Sequence, residues 1–242
     1  MSSSRACPPF ASDASVPRLL VSVRDADEAV LAARAGADLV DAKDPDRGAL
    51  GALPPDRVRA IVARVAGEAR TSAVAGEPDR PALRPCIDAM AATGVGFVKV
   101  AVRAAWSDDD LAEAAGAAPG RLIAVLFAEA GGALDLVPRL ARAGFVGAMI
   151  DTAAKDGRRL TDHLVLPALA AFTRTCRAHG LVSGLAGSLA LADIAILAPL
   201  GAGYLGFRGG LCAASDRRGG LDPARVAEAV RLLRGQSRRD AA

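Results

Sequence analysis

Lysine is the residue this chain almost does without. Of thirty basic side chains twenty-seven are arginine, and only Lys43, Lys99 and Lys155 are lysine. Aromatic residues are equally scarce at 3%, with Trp106 and Tyr204 the sole tryptophan and tyrosine. Platforms for stacking bases are therefore missing, no Lys/Arg cluster interleaves with aromatics, and the net charge is only +3. A nucleic-acid partner is excluded on these grounds. His163 and His179 are the only histidines. The four cysteines, Cys7, Cys86, Cys176 and Cys212, form no CxxC pair, and no HExxH motif occurs. Neither a metal nor an organic cofactor is expected from such a set. No run of about 18 apolar residues is available to cross a membrane. Residues 1–17 are rich in Ser, Ala and Pro without a long apolar stretch, so they read as a disordered extension and not as a signal peptide. The chain is thus expected in a reducing cytoplasm with free thiols. Assembly with copies of itself stays open.

What the sequence has is Ala, Val, Leu and Ile, the bulk of a 52% hydrophobic content, in one repeated rhythm. From residue 18 a short β-type apolar run is followed by an Ala/Arg/Glu-rich amphipathic stretch. Strands are expected at 19–23, 38–43, 71–75, 96–102, 122–127, 146–152, 181–186 and 204–207. Helices are expected at 25–35, 54–65, 82–92, 108–115, 134–143, 162–178, 189–197 and 222–233. Gly36, Gly94, Gly144, Gly180 and Gly201 suit left-handed helix ends. Eight strand–helix units in about 240 residues predict an α/β fold: a single (βα)₈ TIM barrel of parallel strands over residues 18–234, with a flexible tail at 235–242. An open doubly wound sheet fits less well, because Ser22-Val23-Arg24-Asp25 stands where its glycine-rich turn would be.

In such a fold the positions that keep lysine are informative. Arginine binds as a permanently charged fork, whereas lysine can lose its proton and become a nucleophilic amine. Lys43 ends the second predicted strand, Lys99 interrupts the apolar run Val95-Gly96-Phe97-Val98-Lys99-Val100-Ala101, and Lys155 follows the sixth strand. All three fall on the end of the barrel where active sites lie. Clustered cations lower one another's pKa, the condition for an imine-forming lysine. By period-two alternation Leu39, Asp41 and Lys43 share one strand face. Asp151 ends the sixth strand. Asp41 and Asp151 are candidate proton shuttles or structural partners of the lysines. Barrels commonly bind phosphate on the loops after strands seven and eight. Those loops read Leu185-Ala186-Gly187-Ser188 and Phe207-Arg208-Gly209-Gly210. Gly187, Gly209 and Gly210 would let backbone approach an anion, Ser188 would cap the next helix, and Arg208 would supply a fork. Asp216-Arg217-Arg218-Gly219-Gly220 is either a further loop over the site or a plain surface turn. His163, His179 and Cys212 receive no role. The residues alone leave open a Schiff-base aldolase, a sugar-phosphate isomerase and a non-catalytic sugar-phosphate-binding barrel.

Several segments together resemble the (5-formylfuran-3-yl)methyl phosphate synthase family. They are Asp41-Ala42-Lys43-Asp44-Pro45 with Gly48, Leu50 and Gly51; Val98-Lys99-Val100; Asp151-Thr152-Ala153-Ala154-Lys155-Asp156-Gly157; Leu185-Ala186-Gly187-Ser188-Leu189; and Arg208-Gly209-Gly210 with Asp216-Arg217. The resemblance spans residues 19–233. It implies a β/α barrel that joins two glyceraldehyde 3-phosphate molecules into a furan aldehyde phosphate, for synthesis of methanofuran-type one-carbon carriers. It places the Schiff-base lysine at Lys43 and the proton-accepting lysine at Lys99. The family's aspartates and further lysine fall on Asp41, Asp151 and Lys155. After strand three the family tends to carry a lysine before Pro-Gly, where this chain has Asp79-Arg80-Pro81-Ala82. The Arg/Ala-rich background and longer N-terminus suggest a bacterial member, whose carrier would serve formaldehyde oxidation.

Overall fold

A computed structural model describes residues 16–154 and 156–239. Lys155, Cys7 and all but the last two residues of the predicted N-terminal extension lie outside the described residues. Eight parallel strands close into a barrel in chain order. They are β1 (Arg18–Val23), β2 (Leu39–Ala42), β3 (Arg70–Val74), β4 (Phe97–Ala101), β5 (Leu122–Phe127), β6 (Gly147–Asp151), β7 (Val182–Leu185) and β8 (Tyr204–Phe207). The covering helices are α1 (Ala26–Arg34), α2 (Pro55–Val65), α3 (Arg80–Ala91), α4 (Asp108–Ala117), α5 (Ala133–Ala143), α6 (Leu160–His163), α7 (Leu166–Ala178), α8 (Ile194–Leu197) and α9 (Pro223–Arg239).

Local chemistry sets these boundaries. Asp25 caps α1 by accepting the Asp27 and Glu28 amides at 3.1 and 2.9 Å. Asp79 caps α3 and Arg80 pairs with Asp110, so the segment that departs from the family pattern begins a helix here. The five predicted helix-ending glycines all adopt positive φ, between 71° and 99°. The expected helix 162–178 is two helices, because Leu164 and Val165 are extended and Pro167 sits in the first turn of α7, where its missing N–H costs nothing. The expected helix 189–197 begins only at Leu191 and is a series of short turns around α8. In contrast α9 runs on through Gly235 to Arg239, into the predicted tail.

Alternation along each strand divides apolar from polar. Val40, Ala42, Val98 and Val100 face the helices and join the main core with Ile61, Leu83 and Phe172. The other face fills the barrel. Its lowest layer is apolar, with Leu20, Leu39, Phe97, Ile123, Met149 and Tyr204. Two residues further along the strands come Ser22, Asp41, Lys99 and Asp151, all buried. Above these, Leu50 from the loop after β2 packs on Val74, Ala101 and Val125. That apolar plug fills the mouth over β3–β5 and leaves the β6–β8 and β1 side open. The Leu50 loop is closed by mutual backbone pairing of Asp44 and Gly51, and a Cβ on Gly51 would overlap the Asp44 carbonyl.

Candidate active site

Asp41 is the centre of the polar layer and is fully buried. Parallel register places Ser22, Asp41 and Ser72 side by side on β1, β2 and β3. The Ser22 and Ser72 hydroxyls donate to opposite oxygens of the Asp41 carboxylate, at 3.2 and 2.6 Å. Lys99, 3% exposed on β4, brings its Nζ to 2.6 Å from Asp41 Oδ2. Removing a lysine from water penalises its charged form. Burial therefore holds Lys99 below the usual lysine value, opposed by the Asp41 carboxylate and assisted by the positive charge of Lys43.

Lys43 stands one residue beyond β2, its backbone amide still bonded to the Val23 carbonyl at 2.9 Å. Its Nζ lies 3.6 Å from Asp151 Oδ2 at the end of β6. Asp151 Oδ1 accepts the Thr152 amide at 2.8 Å, which fixes the carboxylate at the strand end. The following loop is tied down by Glu129, which accepts the Ala153 and Ala154 amides at 3.0 and 3.2 Å. His163 Nε2 lies 3.9 Å from that same carboxylate.

Lys43, Lys99 and Asp151 line a cavity of about 350 Å³, together with Gly187, Ser188, Arg208, Gly209, Gly210 and Arg217. Close packing of three loops explains the glycines. A Cβ on Gly187, whose φ is +120°, would lie 2.7 Å from Thr152 Cγ2, and one on Gly210 would overlap the Leu189 carbonyl. Two expectations change at this point. Arg208 is not a free fork. Its Nη1 and Nη2 pair with both oxygens of Glu28, and the remaining donors bond the carbonyls of Ser22, Arg217 and Gly219 at 3.1, 2.9 and 2.9 Å. Ser188 is not a helix cap. It is exposed with φ +49°, and the next turn is capped by Asp193 accepting the Ala190 amide at 2.8 Å.

The structure thus brings together Asp41, Lys43, Lys99 and Asp151, with Gly187, Ser188, Gly209 and Gly210 on the same cavity. Ser22, Ser72, Glu28 and Glu129 escaped the sequence reading. The two serines carried no local signal, since what sets each beside Asp41 is the register between neighbouring strands.

Fold and site together define a β/α-barrel enzyme whose polar centre is built from lysines opposed by carboxylates. The family model for 4-HFC-P synthase matches residues 19–230, and the chain belongs to that family. A Methylorubrum extorquens protein named "Putative (5-formylfuran-3-yl)methyl phosphate synthase" is 63% identical, with 93% of this chain and 95% of that protein covered. The (5-formylfuran-3-yl)methyl phosphate synthase of Methanopyrus kandleri is 36% identical over 84% of this chain and 93% of its own. Among solved structures, phosphoribosyl anthranilate isomerase from Thermotoga maritima superposes with a TM-score of 0.65 at 12% identity, covering 90% of this chain and 99% of that one. TrpF from Jonesia denitrificans gives 0.61 at 22%, covering 91% and 98%. These two likenesses speak for the fold alone.

Proposed function

We propose that this protein condenses two molecules of glyceraldehyde 3-phosphate to (5-formylfuran-3-yl)methyl phosphate through an imine on Lys43. One observation carries the reading: in a chain of this family, Lys43 and Lys99 open onto one cavity, each opposed by a buried carboxylate. The Lys43 amine adds to the carbonyl of one triose phosphate and expels water. The protonated imine acidifies the adjacent carbon, a base removes that proton, and inorganic phosphate departs from the next carbon. The second triose phosphate isomerises to its ketone, a proton moving from its carbinol carbon to its aldehyde carbon, and the carbon nucleophile attacks that ketone carbon, which carries the phosphorylated CH2 to furan position 3. The free hydroxymethyl oxygen closes the ring, and loss of two waters completes the furan. Hydrolysis of the imine takes back the water expelled at the start and frees Lys43, so the sum is one phosphate and two waters released, a carbon–oxygen lyase reaction.

Lys99 suits the base. Burial favours its neutral amine, and Asp41 with its two serine donors holds the amine in place. Asp151, facing Lys43 from across the barrel, is placed to exchange protons with the nucleophile. Lys155 belongs to the same proposed machinery by its place in the family pattern. The amides around Gly187, Ser188, Gly209 and Gly210 are the proposed seat of a substrate phosphate. The product would enter synthesis of a methanofuran-type one-carbon carrier in the cytoplasm. A second reading, imine formation at Lys99, is favoured by its lowered pKa alone. The pure protein incubated with glyceraldehyde 3-phosphate alone should develop furan absorbance, and borohydride should fix substrate mass on Lys43. Mass on Lys99 would establish the second reading. No absorbance and no trapping would refute both.

A further inference from the structure

Among the described residues four cationic side chains line the cavity: Lys43, Lys99, Arg208 and Arg217. Three are neutralised from within the fold, Lys43 by Asp151, Lys99 by Asp41 and Arg208 by Glu28. These pairs leave little net positive charge for an incoming dianion. Arg217 differs. Among the described residues it makes no ion pair, and its hydrogen bond runs from Nη2 to the Gly48 carbonyl at 2.9 Å. It sits half-buried, its guanidinium within the field of Asp151. It also stands against the glycine turn after β8, where a Cβ on Gly209 would lie 3.5 Å from the Arg217 Cβ.

We infer that Arg217, and not Arg208, is the side chain that binds a substrate phosphate in this cavity. The inference rests on the phosphorylated substrate proposed above. A guanidinium with one donor on a carbonyl keeps an edge for the oxygens of a phosphate ester, as an arginine saturated by carboxylate and carbonyls cannot. The Gly48 contact also anchors Arg217 to the loop after β2, so the cation is held over the open half of the barrel mouth.

The test separates phosphate binding from a strap that merely ties two loops together. Inorganic phosphate is titrated calorimetrically into the full chain, the Arg217→Ala variant and the Arg217→Lys variant. Loss of one charge-assisted contact lowers affinity about tenfold or more in Arg217→Ala, with part of it restored in Arg217→Lys. In parallel, borohydride trapping at the imine lysine is compared for glyceraldehyde and glyceraldehyde 3-phosphate. Arg217→Ala should need about tenfold more of the phosphorylated aldehyde while trapping the unphosphorylated one as before. Unchanged phosphate affinity, or an equal loss for both aldehydes, overturns the inference. If the unaltered protein traps neither aldehyde, the imine chemistry falls, and the phosphate titration alone decides Arg217.

Discussion

The two ends of the barrel hold hollows that differ in size one way and in chemistry the other. At the amino ends of the strands lies a concavity of about 1180 Å³, more than three times the volume at the carboxyl ends. Its rim carries Gly36, Gly94, Gly120 and Gly180, glycines of the turns that lead into the strands. Short turns without side chains leave an open bowl, and volume there is a by-product of chain reversal. Two polar groups of that bowl serve backbone: Asp38 accepts the Leu19 amide at 2.8 Å and Arg121 donates to the Val95 carbonyl at 3.2 Å. At the carboxyl ends, charged groups on β2, β4 and β6 converge on a smaller space. Convergent ionisable groups, more than room, single out the carboxyl end as the one proposed to react.

The sharpest way to break that contrast is Lys43→Arg. Charge and fold should persist while kcat falls by about three orders of magnitude or more and trapping disappears, because guanidinium forms no imine. Comparable activity in Lys43→Arg and the unaltered enzyme would remove the distinction between the two ends. Next comes Asp41→Asn, which strips Lys99 of its buried partner. Urea denaturation at neutral pH should show about 3–5 kcal/mol less stability, the cost of breaking a buried pair from one side. Asp151→Asn should cost less, since the Lys43 pair is looser, at 3.6 Å against 2.6 Å. A third test uses pH. Lys99 titrates below the usual lysine value of about 10.4, so between its folded value and that figure the unfolded chain binds more protons. Its contribution to stability therefore rises with pH through that window, and kcat rises on the same limb as the amine loses its proton. A pH profile of kcat that stays flat there would take the role of base away from Lys99. The smallest effect belongs to the other end. Asp38→Ala should cost about 1–2 kcal/mol in thermal unfolding, for one amide left unpaired, and leave kcat/KM unchanged. A fall in kcat/KM with this variant would mean the amino end takes part in the chemistry.

Much of the fold was legible because its signals are local. Short β-type apolar runs and glycines after helices are read within a few residues, and they located all eight strands. The shared face of Leu39, Asp41 and Lys43 followed from period-two alternation, whereas Lys99 was legible only as a lysine interrupting an apolar run. What escaped depends on neighbours distant in sequence. Nothing near Arg208 announces that Glu28 consumes it, and nothing near Asp41 names Ser72 as its second donor. Register between strands, which places Ser22 and Ser72 beside Asp41, is a tertiary quantity. The break between α6 and α7 was local, carried by Val165 and Pro167, but the long amphipathic stretch around it masked the signal.

The clasp of Arg208 on Glu28 joins the last strand to the first helix, and its partners stand 180 residues apart. On a ribosome adding about 5–20 residues per second, roughly 10 to 40 seconds separate the synthesis of the two. Through that interval the glutamate has no arginine to meet, and the seam between β8 and β1 cannot close. Any sheet built from the earlier strands before then keeps unpaired edges, the form in which strands add to strangers. Barrel closure is therefore a late event in the life of each molecule, and the salt bridge that seals it also completes the wall of the cavity proposed for the chemistry.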